Sequence, residues 1–200
     1  MSVFSNKRRT LLTAAMAAGF ASALSACGKE DIAFIGSDIT GTKLGREMAM
    51  VDGTGQVRTL ADYKGKVAVV FFGFTQCPDV CPTAMAELSE TMELLGEDAG
   101  KVQVLMISVD PARDTPEVLS AYVTAFHPSF VGLTGSPEQL SATAKSFKAY
   151  YAKSPGATPE QYSMDHASSF YLIDPKGEAR VLVSGNASAQ DIASDIRQLL

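Results

Sequence analysis

Two unbroken apolar runs dominate the hydrophobic pattern of this sequence. Lys66 to Thr75 reads KVAVVFFGFT and Lys101 to Val109 reads KVQVLMISV, with many β-branched or aromatic residues. Strands that are covered on both faces give such runs, whereas half-exposed strands alternate apolar and polar residues. The two runs therefore predict two buried parallel strands.

Apolar residues at helical spacing follow the first of these strands. They step by four, three, four and three positions along one face of a predicted helix that Gly96 ends: Cys81, Met85, Leu88, Met92 and Leu95. Pro78 or Pro82 suits the first turn of this helix. The rest of the chain predicts, in order, a helix from Thr115 to about Phe126, a short strand from Phe130 to Leu133, a helix from Ser136 to about Tyr150, a hairpin of residues 168–173 and 179–183, and a helix from Ala189 to Leu200.

This order of elements indicates the fold class. Alternating strands and helices imply right-handed crossovers on a mixed sheet, and a closing antiparallel hairpin followed by a helix is thioredoxin-like in outline. We therefore predict an α/β fold, a thioredoxin-like mixed sheet flanked by helices. In such sheets the functional site lies at the carboxyl ends of the strands, which is where Cys77 and Cys81 follow the first strand.

The first 26 residues are predicted to be a signal peptide. Three basic residues at positions 7 to 9 precede an apolar stretch from Leu11 to Leu24, which ends in the letters LSAC. This ending resembles a bacterial lipobox, in which the cysteine, here Cys27, is acylated and becomes the first residue of the mature chain. An ordinary cleaved signal or an uncleaved anchor is the alternative. We expect a lipid-anchored protein of the bacterial cell envelope that faces the periplasm.

The remaining chain is predicted to form a flexible tether at residues 27–46 and one domain at residues 47–200. The tether is polar and glycine-rich and has no sustained period. The whole chain has a formal net charge of −5, and removal of residues 1–26, with three basic and no acidic residues, leaves −8. This acidic balance argues against nucleic acid and anionic surfaces as partners.

Cys77 and Cys81 are the cysteines that remain once Cys27 is assigned to the lipid. A disulfide that closes so short a loop adds little stability, so chemistry explains the pair better than a structural role. Residues at i and i+4 share a helix face, and we expect the helix N-terminus to lower the thiol pKa and favour the thiolate. Two thiolates suit Cu(I), but they also bind zinc or form a redox-active disulfide.

The chain has two histidines that could complete a metal site. His127 precedes a proline in AFHPSF and is predicted to lie in a surface turn without a ligand role. His166 comes directly before the predicted strand at 168–173, where a thioredoxin-like sheet would bring it near the cysteine loop. We therefore take His166 as the candidate third ligand, with an ordinary loop histidine as the alternative.

Two simple redox chemistries fit the sequence poorly. Thioredoxin-type oxidoreductases carry a proline directly before this strand and two residues between their cysteines. This chain has no proline between Pro159 and Pro175, and three residues separate its cysteines. The peroxiredoxin pattern P-x-x-x-T-x-x-C fits neither Cys77 nor Cys81.

The sequence resembles the Sco/SenC family of copper proteins, which assist assembly of the CuA centre of cytochrome c oxidase. The most specific part of the resemblance is CPDVCPT together with a distant DH that precedes YLIDP. The matching segments cover most of the mature chain and are DITG from Asp38, DGTGQVRTLADYKGK, FFGFTQCPDVCPTAM, ISVDPARDTPEVLSAYVTAF, FVGLTGS and DHASSFYLIDPKG.

This resemblance implies that Cys77, Cys81 and His166 bind copper, as three ligands for Cu(I) with a further group for Cu(II). It implies a membrane-anchored chaperone that delivers copper to, or prepares, the CuA site of cytochrome c oxidase. The implied partners are the oxidase subunit that carries CuA and other periplasmic copper or thiol-redox proteins.

Two other functions remain open. In the first, Cys77 and Cys81 cycle between dithiol and disulfide and keep the CuA cysteines reduced. In the second, the protein is a sensor that reports copper or redox state to a separate regulator. His166 separates copper delivery from a pure thiol reductase, because the reductase does not need it.

Asp110, Arg113 and Asp114 in DPARDT also match the family. We expect structural roles for them: Asp110 ends a strand, and Asp114 or Thr115 caps the following helix. A partner-docking surface is the alternative.

Two neighbours of His166 have candidate roles. Asp165 could orient the imidazole ring. Met164 could be a soft axial contact to a metal, although a lone methionine more often serves packing. Tyr162 receives no assignment.

Overall fold

The computed structural model describes residues 33–156, 158 and 161–200 of the chain. The predicted signal peptide at 1–26 and the predicted lipidation site Cys27 lie outside the described residues. None of the described helices is long and apolar enough to cross a membrane.

This part of the chain forms ten strands and four α-helices. The strands are β1 (Ser37–Asp38), β2 (Met50–Asp52), β3 (Val57–Arg58), β4 (Val67–Gly73), β5 (Val102–Ser108), β6 (Val131–Thr134), β7 (Tyr151–Pro155), β8 (Tyr162–His166), β9 (Phe170–Ile173) and β10 (Ala179–Val183). The helices are α1 (Val80–Leu95), α2 (Pro116–Thr124), α3 (Pro137–Phe147) and α4 (Ala189–Arg197), with 3₁₀ segments at Leu60–Tyr63 and Gly96–Lys101.

Eight of the strands form one mixed sheet in the order β1-β10-β9-β4-β5-β6-β2-β3. Strands β4, β5 and β6 are parallel to one another, while β9 lies antiparallel against the other edge of β4. Strands β7 and β8 form a separate two-stranded antiparallel sheet. The fold is the predicted mixed α/β sheet with flanking helices.

The two long apolar runs form the centre of the core. Every residue of β4 and β5 is buried, and the two strands pair in parallel from Val67 with Val102 to Gly73 with Ser108. Helix α1 covers the sheet with the predicted face, because all five of its predicted apolar residues are buried. Both cysteines thus follow a strand that is buried along its whole length.

The helices begin where the capping signals predicted. Thr115 caps α2 by accepting a hydrogen bond from the amide of Val118, and Ser136 caps α3 in the same way. A proline follows each cap at the first helical position, where its missing N–H costs nothing. Helix α3 ends earlier than predicted, because Lys148 adopts the left-handed conformation with φ 55°.

The sheet is larger than the sequence pattern predicted. Strands β1, β2 and β3 have only two or three residues each, which is too short for a period to be recognised. The β7–β8 hairpin was also missed: the sequence placed His166 directly before the strand at 168–173, whereas it is the last residue of a separate strand, β8.

Residues 34–46, which the sequence assigned to the tether, pack against the domain. Strand β1 pairs with β10, and Leu44 is buried. The amides of Ile35 and Gly36 donate hydrogen bonds of 2.7 and 2.8 Å to the carboxylate of Asp195. The compact unit therefore begins at Phe34.

Candidate metal centre

Cys77 and Cys81 lie where β4 passes into α1. Cys77 is half-buried in the connecting loop, and Cys81 is buried in the first turn of the helix. The amide of Cys81 lies 3.4 Å from the sulfur of Cys77 and donates a hydrogen bond to it. Both thiols are free in this structure. The four-residue spacing therefore brings the two sulfurs to one side of the helix start, as predicted.

His166 reaches the cysteines from the end of β8. Its Nε2 atom lies 3.3 Å from the sulfur of Cys81. The rings of Phe71 and Phe74 hold the imidazole edge to face, with centroid distances of 5.9 and 5.8 Å. The other ring nitrogen, Nδ1, lies 3.0 Å from the carbonyl oxygen of Ala167. Together these contacts hold the imidazole ring beside the sulfur of Cys81.

The three predicted residues form a group that could hold a metal ion. One ligand atom from each of Cys77, Cys81 and His166 lies within 4.8 Å of the other two. His127 has a different environment, since its Nδ1 is 3.2 Å from the amide of Ser129 and 2.8 Å from the hydroxyl of the same residue. Two sulfurs and an imidazole are soft or borderline donors, which suit Cu(I) and also zinc.

The sulfur of Cys81 differs from the sequence-based expectation. We predicted that the helix N-terminus would lower a thiol pKa, but burial raises the pKa of Cys81 well above its ordinary value, and the adjacent Cys77 sulfur adds to this effect. Desolvation of a thiolate outweighs the helix dipole at this depth. The metal-free protein therefore carries Cys81 as a neutral thiol, and a bound metal must displace its proton.

Gly73, the last residue of β4, leaves room for the buried sulfur. A Cβ atom at this position would lie 3.0 Å from the sulfur of Cys81 and 2.7 Å from a ring carbon of Phe71. These distances are shorter than ordinary van der Waals contact. The absence of a side chain at Gly73 is thus a condition for the position of Cys81.

Asp114 holds the loop that leads to Cys77. Its buried carboxylate accepts hydrogen bonds from the amide and hydroxyl of Thr75, at 3.1 and 2.6 Å, and from the hydroxyl of Ser108 at 2.6 Å. The sequence left open whether Asp114 or Thr115 caps α2. Thr115 is the cap, and Asp114 supports the cysteine loop instead.

The two neighbours of His166 with candidate roles, Asp165 and Met164, make other contacts in the structure. Asp165 is exposed and accepts a hydrogen bond from the hydroxyl of Ser154, so it does not orient the imidazole. Met164 packs against the hydrophobic core, which agrees with a packing role.

Sequence reasoning missed a contact network on the same edge of the sheet. Arg113 touches both the cysteine loop, through Gln76, and strand β8, through Tyr162. The only signal in the sequence was the position of Arg113 in DPARDT, directly after the second buried strand.

Fold and site together define a class of protein: a thioredoxin-like domain with two cysteines and one histidine at the carboxyl edge of its parallel strands. The sequence matches the family model described as SCO1/SenC over residues 37–200. The chain belongs to the SCO1/SenC family.

Solved structures agree with this assignment. The copper-bound ScoI of Bradyrhizobium japonicum is 35% identical, with a TM-score of 0.70 over 83% of this chain and 99% of that one. BsSco, a member of the Sco family of cytochrome c oxidase assembly proteins in which a disulfide switch was identified, is 26% identical, with a TM-score of 0.63 over 82% of this chain and 96% of that one. The thioredoxin-like fold is therefore confirmed.

Curated relatives extend beyond the matched region. The mitochondrial protein SCO2 of Saccharomyces cerevisiae is 40% identical over 157 residues, which are 78% of this chain and 52% of that protein. This chain spans between about half and two thirds of the length of such relatives from yeast, cattle and Rickettsia felis.

Proposed function

We propose that this chain binds copper and acts in the assembly of cytochrome c oxidase, where it delivers copper to the CuA site or prepares that site. The observation that carries the proposal is the group formed by Cys77, Cys81 and His166, whose ligand atoms lie within 4.8 Å of one another. Membership in the SCO1/SenC family supports copper as the metal.

The chemistry of the three donors favours Cu(I) as cargo. Thiolates are soft ligands, and an imidazole nitrogen suits copper as well. The aromatic rings of Phe71 and Phe74 pack against His166. An apolar surrounding of this kind favours an ion of low charge with few ligands. Cys77, Cys81 and His166 would hold the ion, and Cu(II) would need a further donor.

Delivery requires that a partner's ligands reach the metal. Cys77 and His166 are each half-buried, so the site is not sealed inside the domain. Two exposed apolar side chains, Val80 and Tyr150, are neighbours of the site: Val80 precedes Cys81, and the carbonyl oxygen of Tyr150 accepts a hydrogen bond from the amide of Ala167. We infer that copper leaves by ligand exchange with the oxidase subunit that carries CuA. Other copper or thiol-redox proteins of the periplasm would load or reduce the site.

We further propose that a lipid on Cys27 anchors the protein to the membrane, with the domain facing the periplasm. The compact unit begins at Phe34, so the tether predicted at residues 27–46 is shorter than the sequence indicated. A single acyl chain holds a protein only marginally, so this anchoring requires the complete lipid modification.

The second candidate function is a dithiol reductase for the CuA cysteines. It is favoured by the two free thiols at i and i+4, and BsSco, a relative with a disulfide switch, points the same way. In this reaction the Cys77 and Cys81 thiols supply two electrons and two protons to a disulfide of the target. The target disulfide opens, and a Cys77–Cys81 disulfide closes.

A copper titration tests the proposal. We expect His166→Ala to weaken Cu(I) binding at least about tenfold while the fold persists, because the variant loses one of three ligands at a strand end. The measurement is an anaerobic titration of the reduced full chain against a competing chelator. A Cys27→Ser background leaves Cys77 and Cys81 as the only thiols.

His127→Ala is the matched control, since it removes the other histidine of the chain. This control should bind copper like the parent. Equal affinity of the His166→Ala and His127→Ala variants would remove His166 from the site and favour the dithiol reductase.

A further inference from the structure

The histidine of the candidate site stands on a hairpin outside the main sheet. Strands β7 and β8 form their own two-stranded sheet, and His166 is the last residue of β8. A cavity of about 330 Å³ borders the hairpin at Lys153 and Met164 and the residue that follows β5, Val109. The hairpin is thus not packed against the domain along its whole length, and its polar contacts with the domain contribute to its position.

Arg113 supplies the contacts that connect the hairpin to the cysteine loop. Its Nη1 atom donates one hydrogen bond of 2.9 Å to the side-chain oxygen of Gln76 and another of 3.2 Å to the carbonyl oxygen of Tyr162. Gln76 directly precedes Cys77 in the chain. One guanidinium nitrogen thus bridges the two segments that carry the candidate ligands.

The ring of Tyr162 strengthens this connection. The guanidinium carbon of Arg113 lies 3.8 Å from the ring centroid, and the ammonium nitrogen of Lys153 lies 3.7 Å from it. Such cation–π contacts are attractive, and more so where water is excluded. Tyr162 is therefore held by two cations, one from the domain and one from its own hairpin.

Asp110 binds both Arg113 and Tyr162. Its carboxylate forms an ion pair with the Nε atom of Arg113, and its other oxygen accepts a hydrogen bond of 2.8 Å from the hydroxyl of Tyr162. Asp110 is almost fully buried, at 4% exposure. A buried carboxylate that accepts from an arginine and a tyrosine leaves Arg113 little freedom to turn away.

We propose that Arg113 is a positioning residue of the metal centre: it docks the strand that ends in His166 onto the loop that contains Cys77. The proposal rests on the copper site proposed above. Tyr162 and His166 are four residues apart on β8, so their side chains point to the same face of the strand. Loss of the Arg113 contacts at Tyr162 therefore loosens the strand end that presents His166.

The test compares two arginines in similar local settings. Arg113→Met removes the hydrogen bonds and the charge but keeps an unbranched apolar side chain. Arg180→Met is the matched control, because Arg180 is similarly buried, pairs with a buried aspartate, Asp174, at 3.2 Å and lies 5.9 Å from the ring centroid of Phe34. Arg180 belongs to β10, away from the candidate ligands.

We expect Arg113→Met to weaken Cu(I) binding about tenfold in the anaerobic titration, and Arg180→Met to leave it unchanged. The Cu(II) form should report the same change, through an altered visible thiolate-to-copper band in the Arg113 variant. Arg113→Lys keeps the charge beside Asp110 but loses the planar fork, so it should restore part of the affinity at most. If Arg113→Met does not fold, the lysine variant carries the test, with affinity below that of the parent.

A double-mutant cycle shows whether Arg113 acts through His166. In a His166→Ala background, Arg113→Met should have no further effect on copper affinity. An Arg113 effect of equal size in both backgrounds would overturn the proposal, as would parental affinity in both Arg113 variants. Failure of the copper site itself has a different signature, because His166→Ala alone would then leave affinity unchanged.

Discussion

At the scale of single residues, the protonation state of Cys81 determines whether its sulfur can bind a metal as a thiolate. Its sulfur is buried beside the sulfur of Cys77 and the imidazole of His166. Burial disfavours the thiolate in the absence of a metal, whereas a bound cation would stabilise it. Cys81 is therefore a neutral thiol in the metal-free protein, and copper binding releases its proton.

This property predicts an alkaline loss of stability in the reduced, metal-free protein. The pKa of Cys81 is raised in the fold above its ordinary value of 9.0. Its contribution to the free energy of unfolding is thus complete below about pH 9 and is lost as the pH rises further, with a slope of at most about 1.4 kcal/mol per pH unit. Urea unfolding between pH 7 and pH 10.5 measures this slope.

Cys81→Ser provides the comparison, since a serine hydroxyl does not ionise in this range. The stability difference between parent and variant should shrink above pH 9. Parallel stability curves for the two proteins would show that the Cys81 thiol ionises at its ordinary pH in the fold.

Some residue roles could be predicted from sequence and others could not. The spacing of Cys77 and Cys81 and the strand-end position of His166 were enough to bring these three together. The contacts of Arg113 with Tyr162 could not be predicted, because they depend on where the β7–β8 hairpin packs, and that hairpin was not predicted. The charge of Asp114 was visible, but its partner Thr75 lies 39 positions away.

At the scale of elements, the N-terminal segment is fastened to the last helix by one carboxylate. Asp195 is fully buried in α4, and its carboxylate accepts hydrogen bonds from the amides of Ile35 and Gly36. A Cβ atom on Gly36 would lie 3.2 Å from this carboxylate, so the backbone approaches closely. Ile35 and Gly36 are therefore held at a fixed point on the domain.

Asp195→Ala should release this segment. Two amides lose a buried acceptor, which we expect to lower the free energy of unfolding by about 2 kcal/mol. Hydrogen exchange of the Ile35 and Gly36 amides should become faster.

Asp191→Ala serves as the control, because Asp191 lies on the same helix but is partly exposed and bonds only locally to Ser188. Its effect should stay below about 1 kcal/mol. Equally slow exchange at Ile35 and Gly36 in both variants would show that Asp195 does not fasten the segment.

The elements that could be predicted are those whose pattern follows from burial. Strands β4 and β5 are covered on both faces and therefore read as continuous apolar runs. Strand β7, with the letters YAKSP, is half-exposed, contains a proline and pairs outside the main sheet, so its residues carry no comparable signal. The short strands β1 to β3 are defined by their pairing partners more than by their own composition.

At the scale of the whole molecule, the functional groups collect at one edge of the sheet. The cysteine loop follows β4, and the segment from Asp110 to Asp114 follows β5, which runs parallel to β4. The carboxyl ends of parallel strands form the usual location of binding sites in α/β folds. The β7–β8 hairpin then adds His166 from outside the sheet. The candidate site thus has one part on the main sheet, with both cysteines, and one part on the separate hairpin, with the histidine.

The most direct test of the central claim is copper K-edge X-ray absorption of the Cu(I)-loaded, reduced protein. We predict two sulfur ligands and one nitrogen ligand per copper, with the nitrogen contribution lost in His166→Ala. A copper site with fewer than two sulfurs, or a spectrum that His166→Ala leaves unchanged, would contradict the assignment of Cys77, Cys81 and His166 as the copper ligands.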